Sequence, residues 1–439
     1  MINNRFISLF GVRKTLILLL IALTWANGGT IAQTDTEFWF VAPEVTTDHY
    51  DKNSYPSNPD LAGQVFRGGE PVMLRITTGK DAAEVTIEQP ANPAFPVITE
   101  NIPAYSVRTV QLTMYGGYPG LQAEVENTYD NPSTGKNNKG IHVTSTSPVT
   151  VYYEVYTRNN CDIFSLKGAN ALGSDFYVPF QNIGWNGYDM SYSAIDIVAT
   201  EDNTVVQIYP ANEAYANGNV GNVPANSLIE VNLDKGETYT LPPGWDFADG
   251  MWGRQSDDHL SGTYIHVKDD KKIAVTINDD SVQEQLSGVS FGCLDLIGDQ
   301  MVPLDILGKE YIAMRGQLSE PLENVYIVAT ANNTDLWFEG NAGAPDANID
   351  AGQTYRYEFN ASSPNYLHIR ASEKVIVLHV SGFGCEMGGA ILPPTDKCTG
   401  STQVGFTRSI EDFTNNGRPA GRFFLNIMVR AGAEDFFTT

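Results

Sequence analysis

Positive charge, histidine and cysteine are all scarce in this chain. It contains 27 Lys and Arg against 52 Asp and Glu, with six His and four Cys in 439 residues. A surface with this excess of negative charge repels phosphate backbones, which excludes nucleic acid as a partner. The sequence also lacks a P-loop, an H-E-x-x-H pair and a dinucleotide-binding fingerprint. Nucleotide-dependent and zinc-dependent catalysis of these kinds is therefore not expected.

Long apolar runs are missing as well, except for one near the N-terminus. Thr15 to Ala26 follows three basic residues and precedes small residues that end at Ala32. A spanning helix needs about 20 apolar residues, and this run is shorter. The pattern predicts a secretory signal peptide over residues 1–32. The protein is therefore expected to be secreted or displayed at the cell surface, and not embedded in a membrane.

Amphipathic helical periodicity is nearly absent, and repeated β-hairpin patterns stand in its place. The phrase IVATEDNTVVQI at 197–208 returns as IVATANNTDLWF at 327–338, with weaker relatives at 75–87 and 427–437. A second hairpin, carrying a His, begins at 140, 264 and 366. Alternating β-branched residues with Asn, Asp and Gly turns are typical of β-sandwiches. The sequence predicts an all-β protein of tandem sandwich-like units over 33–160, 161–292, 293–383 and, incomplete, 384–439.

The repeated histidines are His142, His266 and His368, one in each unit. Each stands beside an apolar residue at the same strand position. Because the three belong to different units, a shared metal site is not indicated. We expect each to be a structural side chain that is hydrogen-bonded at the sheet edge.

Four cysteines in an exported protein favour disulfides. They are Cys161, Cys293, Cys385 and Cys398, which allow three connectivities. Cys385–Cys398 is the simplest expectation, because a loop of about 13 residues rich in Gly and Pro closes easily. That choice leaves Cys161 to pair with Cys293.

Chemically reactive motifs are few. Ser290 lies in G-x-S-x-G, but β-type sequence on both sides argues against the strand-to-helix turn that a nucleophile requires. Asp279 and Asp280 form the best local oxygen cluster, which is expected to end a strand and begin a loop. The cluster is interpreted as a solvated turn, with a structural Ca²⁺ site as the alternative. No other cofactor is expected.

Aromatic residues in Gly-rich loops are the remaining candidates for binding. Trp185, Tyr188, Trp245 and Trp252 are the partner-binding candidates. Aromatic rings on loops of a rigid sheet can anchor a protein or stack on a sugar. The alternative is that the rings fold back and cap their own sandwich.

Five phrases in order resemble a known family: TEFWFVAPEV, DIFSLKGANALGSDFYVPFQN, IVATEDNTVVQI, KKIAVTINDDSV and GCLDLIGDQMVP. From about Glu37 onward, the chain is similar to the N-terminal domain of the IgGFc-binding protein family. The resemblance implies an extracellular, non-enzymatic, adhesion-like module. Animal members form the head of a mucus protein reported to bind antibody Fc. Bacterial members resemble exported surface cargo of type IX secretion and gliding, and this chain is identified as such a member.

Fc binding itself is not carried over, because no defined set of Fc-contacting residues maps onto this sequence. The expected function is adhesion or protein–protein contact at a surface, within a larger assembly. The alternatives are a carbohydrate-binding module that uses the loop Trp and Tyr residues, and a secreted hydrolase. The expected partner is an extracellular protein or glycan.

Overall fold

The structure is a computed structural model. It describes residues 34–45, 72–112, 125–127, 135–156, 161–187, 191–216, 220–246, 250–284, 293–397, 428–429 and 432. The predicted signal peptide, most of the expected fourth unit, Tyr188, Ser290 and Cys398 lie outside these residues. Within them, no helix is long and apolar enough to cross a membrane.

The described residues form three successive β-sandwiches, here called sandwich 1, 2 and 3. Sandwich 1 and the segments beside it contain β1 Asp35–Phe40, β2 Ala42–Pro43, β3 Val72–Thr78, β4 Ala83–Glu88, β5 Ile98–Ile102, β6 Val107–Gln111, β7 Glu126–Asn127, β8 Lys136–Asn137, β9 Ile141–Tyr156 and β10 Cys161–Ser165. Sandwich 2 contains β11 Asp175–Tyr177, β12 Gly184–Asn186, β13 Ser193–Ala199, β14 Thr204–Tyr209, β15 Ala214–Tyr215, β16 Asn222–Val223, β17 Ile229–Leu233, β18 Thr238–Leu241, β19 Trp245–Asp246, β20 Met251–Trp252, β21 Tyr264–Val267, β22 Ile273–Glu284 and β23 Asp295–Gln300. Sandwich 3 contains β24 Glu310–Met314, β25 Gln317–Leu318, β26 Asn324–Ala329, β27 Thr334–Phe338, β28 Ala347–Ile349, β29 Thr354–Glu358, β30 Tyr366–Ala371, β31 Val375–Gly384 and β32 Glu386–Ile391. Two short 3-10 helices, Gly168–Ala171 and Lys268–Asp270, complete the described elements.

The sandwiches share one strand topology. In sandwiches 2 and 3 the first sheets run β11-β21-β14-β17 and β24-β30-β27-β28, and the second sheets contain β22-β13-β18 and β31-β26-β29. In sandwich 1 the long strand β9 serves both layers, because β1 and β4 pair with its first half and β3 and β10 with its second. The all-β, tandem-sandwich prediction is therefore confirmed.

Register is identical in the three copies. Three equivalent isoleucines each face a valine of the long return strand, and these pairs are Ile76 with Val151, Ile197 with Val275, and Ile327 with Val377. All six side chains are fully buried. A slip of one residue would turn every apolar side chain to the other face, so this common register records a duplicated hydrophobic pattern.

The turns that follow these strands have the same backbone conformation and the same hydrogen bond in sandwiches 2 and 3. Asn203 and Asn333 both adopt a left-handed φ of 55°. The backbone N–H of Asn203 donates to Asp234 Oδ1 at 2.8 Å, and that of Asn333 donates to Asp350 Oδ1 at 2.9 Å. Asn tolerates this conformation better than β-branched residues do. Turn chemistry and strand pattern therefore specify the same hairpin twice.

Each repeated His is held by a carboxylate of the opening strand. The pairs are His142 Nε2 with Glu37 at 3.0 Å, His266 Nδ1 with Asp175 at 2.8 Å, and His368 Nε2 with Glu310 at 2.7 Å. In sandwich 1 the imidazole also stacks on Trp39, with ring centroids 4.1 Å apart. These contacts confirm the predicted structural role of the three histidines. The acidic partners were not predicted.

Successive sandwiches meet through a repeated backbone contact. The Gly236 turn of sandwich 2 accepts a hydrogen bond from Gly140 N of sandwich 1 at 3.2 Å. The equivalent turn of sandwich 3 places Gly352 against Gly262 of sandwich 2, where a Cβ on Gly262 would overlap the Gly352 carbonyl. A side chain on Gly140 or on Gly262 would push its backbone away from the facing turn, so glycine is required at both junctions.

Gly262→Ala should destabilise the protein more than Gly340→Ala. Both glycines have positive φ, 92° and 72°, but nothing lies within 4 Å of a Cβ on Gly340. Left-handed backbone costs an L-residue about 1–2 kcal/mol, and overpacking adds about 1–3 kcal/mol at Gly262 only. Urea denaturation of the two variants measures the difference. Equal losses of stability would show that the Gly262–Gly352 contact is not a close one.

Candidate functional site

Sandwich 2 carries two insertions that sandwich 3 lacks. Residues 210–228 between β14 and β17 hold the β15–β16 hairpin, whereas the corresponding segment of sandwich 3 is 339–346. Residues 242–263 between β18 and β21 hold the β19–β20 hairpin, against 359–365 in sandwich 3. The insertions meet at a bridge between Ala214 and Pro243. Asn222 fixes the second hairpin by binding both the N–H and the carbonyl of Trp245, at 2.8 and 2.9 Å.

The insertions bring four aromatic rings together, here called the aromatic platform: Tyr192, Tyr215, Trp245 and Trp252. The Trp252 ring lies at its centre, with centroid distances of 4.7 Å to Trp245, 5.3 Å to Tyr192 and 5.5 Å to Tyr215. The Trp245 and Tyr215 rings meet it edge-on. Edge-to-face pairs contribute about 0.5–1.5 kcal/mol each beyond their buried area. The platform is therefore held in one arrangement by its own contacts.

Burial separates the rings into anchors and rim. Tyr192 and Trp252 are buried, and the Tyr192 hydroxyl donates to Glu44 Oε2 of the sandwich 1 segment at 2.6 Å. Burial, and then the neighbouring Glu44 carboxylate, raise the pKa of Tyr192 well above its ordinary value. Tyr215 and Trp245 are half-buried, and Val220 on the same insertion is 60% exposed. Tyr215 and Trp245 are thus the rings of the platform that reach solvent.

The structure brings three of the four predicted aromatic candidates to this region. Trp245 and Trp252 belong to the platform. Trp185 lies beside it, with the Arg254 guanidinium 5.4 Å above the ring centroid. Arg254 follows Trp252 by two residues in the chain. Whether these residues bind a partner stays a prediction, and the Trp252 ring is the least accessible of them.

Tyr192, Tyr215 and Arg254 belong to the region but were not predicted. The sequence did contain one indication of this region, which is that the two inserted segments are longer than the corresponding segments of the third repeat. An aligned comparison of the repeats would have shown that both extra segments leave the same end of one sandwich. Tyr192 could not have been found in this way, because it lies immediately before β13 and belongs to neither insertion.

Asp279 and Asp280 do not lie where the sequence placed them. Both are only 1% exposed and lie inside β22, which continues to Glu284 through a register shift between Asp279 and Val282. The Asp279 carboxylate accepts hydrogen bonds from Gln181 and Asn186, both at 2.8 Å. The predicted strand end and solvated turn are therefore wrong. A β-bulge accommodates the polar residues within the strand, and Ca²⁺ binding at this position stays a prediction.

A second group of ionisable side chains lies where the sandwiches join. The strands β10, β23 and β32, here called the junction strands, contact one another across the three sandwiches. Asp295 of β23 is 3% exposed and shares a hydrogen bond with Glu386 of β32. Burial raises the pKa of Asp295 to about 8, and the Glu386 carboxylate adds to this rise. This pair therefore favours a shared proton over two ionised carboxylates.

The disulfide also lies at this junction. Cys293 is bonded to Cys385, with their Cα atoms 5.8 Å apart, and the bond joins the segment just before β23 to the turn between β31 and β32. The predicted pairs Cys385–Cys398 and Cys161–Cys293 are therefore wrong. Loop entropy favoured the short pairing, but the packing of the junction strands brings residues 92 positions apart together. Cys398 and the Cys161 side chain lie outside the described residues.

A family model described as "IgGFc binding protein" matches residues 162–435, more than half of the chain. The chain belongs to the IgGFc-binding protein family. No curated protein matches the sequence. The match spans sandwiches 2 and 3, including the aromatic platform and the disulfide, and begins in β10, the last strand of sandwich 1. This IgGFc-binding family is a binding family rather than an enzyme family, and it indicates protein partners.

Disulfide mapping tests the junction directly. Proteolysis without reduction, followed by mass spectrometry, should yield a peptide pair linked through Cys293 and Cys385. The corresponding Cys293→Ser variant should lose about 4–5 kcal/mol of stability in the chain-entropy model, since the closed loop approaches 100 residues. A linked peptide that joins Cys385 to Cys398 would contradict the packing of the junction strands.

Proposed function

We propose that this chain is an exported, non-enzymatic binding protein that contacts an extracellular protein through the aromatic platform of sandwich 2. Its role is adhesion or protein–protein contact at a surface, in the manner of the bacterial surface proteins that its sequence resembles. The observation that carries the proposal is the convergence of two insertions on one preorganised aromatic surface, inside the region that matches a binding family.

Export is supported by the N-terminal segment and by the disulfide. Basic residues, an apolar run and small residues before Gln33 have the order of a secretory signal. Disulfides such as Cys293–Cys385 persist in oxidising compartments outside the cytoplasm. Both observations favour a protein that functions outside the cell.

Binding through the platform follows from the physical properties of its rings. Trp, Tyr and Arg are enriched among the residues that dominate interface energetics, and Trp and Tyr bury a large area at a small cost in conformational entropy. The Trp245 backbone is fixed by Asn222, and its ring by Trp252. A surface that is ordered before contact loses little entropy on association.

The charge around the platform defines the kind of partner. Glu213, Asp246, Asp257 and Asp258 lie on the two insertions, and the whole chain has a formal net charge of −25. Acidic surfaces raise the association rate of basic partners through electrostatic steering. We therefore expect the partner to present a basic or neutral surface with an apolar centre.

A carbohydrate ligand is the second candidate. The half-buried ring of Trp245 and the Arg254-stacked ring of Trp185 both leave part of an aromatic surface open to solvent. Such surfaces can stack on sugar rings. This alternative uses the same residues and is distinguished by the chemistry of what binds.

The test uses the exported chain as bait for proteins of the extracellular fraction of its own source. Fc fragment and a glycan array are included as defined probes. Trp245→Ala and Val220→Asp should each weaken binding of a protein partner at least about tenfold, which is the loss expected of an interface anchor worth more than 1.4 kcal/mol. Trp337→Ala in sandwich 3 is the matched control, since that ring also carries an arginine, Arg370, at 4.8 Å.

Protein binding that is lost in Trp245→Ala and Val220→Asp and kept in Trp337→Ala would support the proposal. Glycan binding with the same dependence on Trp245 would favour the carbohydrate alternative. Protein binding that is unchanged in both Trp245→Ala and Val220→Asp would place the interface elsewhere and contradict the proposal.

A further inference from the structure

The contact between sandwiches 1 and 2 is polar where the contact between sandwiches 2 and 3 is apolar. The repeat makes this comparison direct, because three positions on the outer face of the second sheet correspond in each copy. In sandwich 3 they are Tyr326, Leu378 and Val380, which are buried in an apolar cluster with residues of sandwich 2. In sandwich 2 they are Asp196, Thr276 and Asn278. These three are also buried, with exposures of 1%, 0% and 1%.

The same positions in sandwich 1 carry a charge that is balanced. Arg75 forms an ion pair with Glu154 across β3 and β9. Asp196 has no such partner, because no Lys, Arg or His forms an ion pair with it within the described ranges. The carboxylate is thus buried between two sandwiches at a position where the other copies hold a compensated charge or a hydrocarbon surface.

One oxygen of Asp196 is fully engaged. Its Oδ1 accepts hydrogen bonds from Asn127 Nδ2 and from the Thr240 hydroxyl, both at 2.7 Å. Asn127 is in turn fixed by the Thr238 hydroxyl, which donates to its Oδ1 at 2.6 Å. This network holds the carboxylate in one orientation, with Oδ2 on its other side.

Among the residues that the structure describes, three buried oxygens on this face have no hydrogen-bond partner: Asp196 Oδ2, Thr276 Oγ1 and Asn278 Oδ1. Asp196 and Thr276 are directly opposite in the β13–β22 pair, so their Cβ atoms are about 5 Å apart. Asn278 is the diagonal neighbour, at about 7–8 Å. The Asn278 amide group is already committed, because its Nδ2 donates to the Glu44 carbonyl at 3.0 Å. Its oxygen therefore remains as an acceptor beside the carboxylate.

Leaving these oxygens without a partner would reduce the stability of the folded protein. Each unsatisfied buried polar group costs about 1–3 kcal/mol, and an isolated carboxylate costs more. Burial raises the pKa of Asp196 to about 7, although the Thr240 and Asn127 hydrogen bonds oppose the rise. The Glu44 carboxylate raises it further. The surroundings are therefore electronegative, and among the described residues no positive charge stabilises ionised Asp196.

We propose that this interface binds a divalent cation, with Ca²⁺ favoured, through Asp196 Oδ2, Thr276 Oγ1 and Asn278 Oδ1. Carboxylate, hydroxyl and amide oxygens are the hard ligands that Ca²⁺ takes, and water supplies the rest of its six to eight positions. The site lies on the opposite face of β22 from the Asp279 side chain, whose oxygens bind Gln181 and Asn186. Asn278 is hydrogen-bonded to Glu44, and Asp196 to Asn127, and both partners lie in the segments of sandwich 1. The cation would therefore strengthen the contact between the first two sandwiches.

The test measures thermal unfolding of the chelator-treated chain as Ca²⁺ is added, at a pH above the pKa of Asp196. Tb³⁺ luminescence, excited through tyrosine, provides a second readout because Tyr153 lies close enough to Asp196 for their charges to interact. The wild type should gain thermal stability with Ca²⁺ and should bind Tb³⁺ in competition with Ca²⁺. Mg²⁺ should act more weakly, because it demands a tighter octahedral site.

Asp196→Asn should abolish both responses while the fold is retained, because the amide preserves shape and removes the charge. Thr276→Val should weaken the apparent affinity by about tenfold, which corresponds to the loss of one ligand worth about 1.4 kcal/mol. Asp81→Asn, which removes an exposed carboxylate of sandwich 1, is the matched control and should respond as the wild type does. A wild type that shows no response to Ca²⁺ would overturn the proposal. So would a response that survives in Asp196→Asn, or one that is lost only in Asp279→Asn.

Discussion

The architecture depends on burying the outer faces of sheets between consecutive sandwiches. A single sandwich buries only its inner faces, and an outer face that carries Tyr326, Ile376 and Leu378 would otherwise be exposed. In the structure these side chains belong to one continuous cluster with the core of sandwich 2. Burying such side chains contributes about 1.5–3 kcal/mol each. The third sandwich is therefore held by apolar contact, which the disulfide and the junction strands reinforce.

The contact between sandwiches 1 and 2 is stabilised by different interactions from the contact between sandwiches 2 and 3. There a small apolar cluster of Trp39, Val41, Val198 and Ala274 lies beside a buried polar network built on Asp196 and Asn127. Buried polar networks specify a geometry more strictly than apolar contacts, provided that their groups are satisfied. At the corresponding sheet positions, duplication thus produced one copy whose contact is apolar and one whose contact depends on hydrogen bonding and charge. The family match begins at residue 162 and so includes only β10 of sandwich 1, whereas it covers sandwiches 2 and 3 completely.

The repeat could be predicted from sequence because its information is local. Alternating apolar residues determine which face of a strand is buried, and the left-handed Asn203 and Asn333 determine where it reverses. The disulfide could not be predicted in this way, because it depends on how the junction strands pack across 92 residues. Asp279 and Asp280 were misplaced for a related reason. Asn-Asp-Asp-Ser has the composition of a turn, but pairing with β13 and β23 keeps it within a strand.

The candidate site was predicted only in part. Gly-rich loops with Trp245 and Trp252 suggested a binding surface, but sequence did not show that Trp252 would be enclosed by Tyr192 and Tyr215. The convergence of two insertions is a tertiary property, since they are joined through Asn222 and the Ala214–Pro243 bridge. The Trp252 ring is therefore buried beneath its neighbours, and the partly exposed rings of the platform are those of Trp245 and Tyr215.

Differential scanning calorimetry of the chain from Gln33 onward tests the central claim, which is that the sandwiches stabilise one another by burying their outer faces. If they do, the described region should unfold in a single transition, with calorimetric and van't Hoff enthalpies in a ratio near one. Three resolved transitions, each with the enthalpy of one sandwich, would contradict the claim and show that the units fold independently of their contacts.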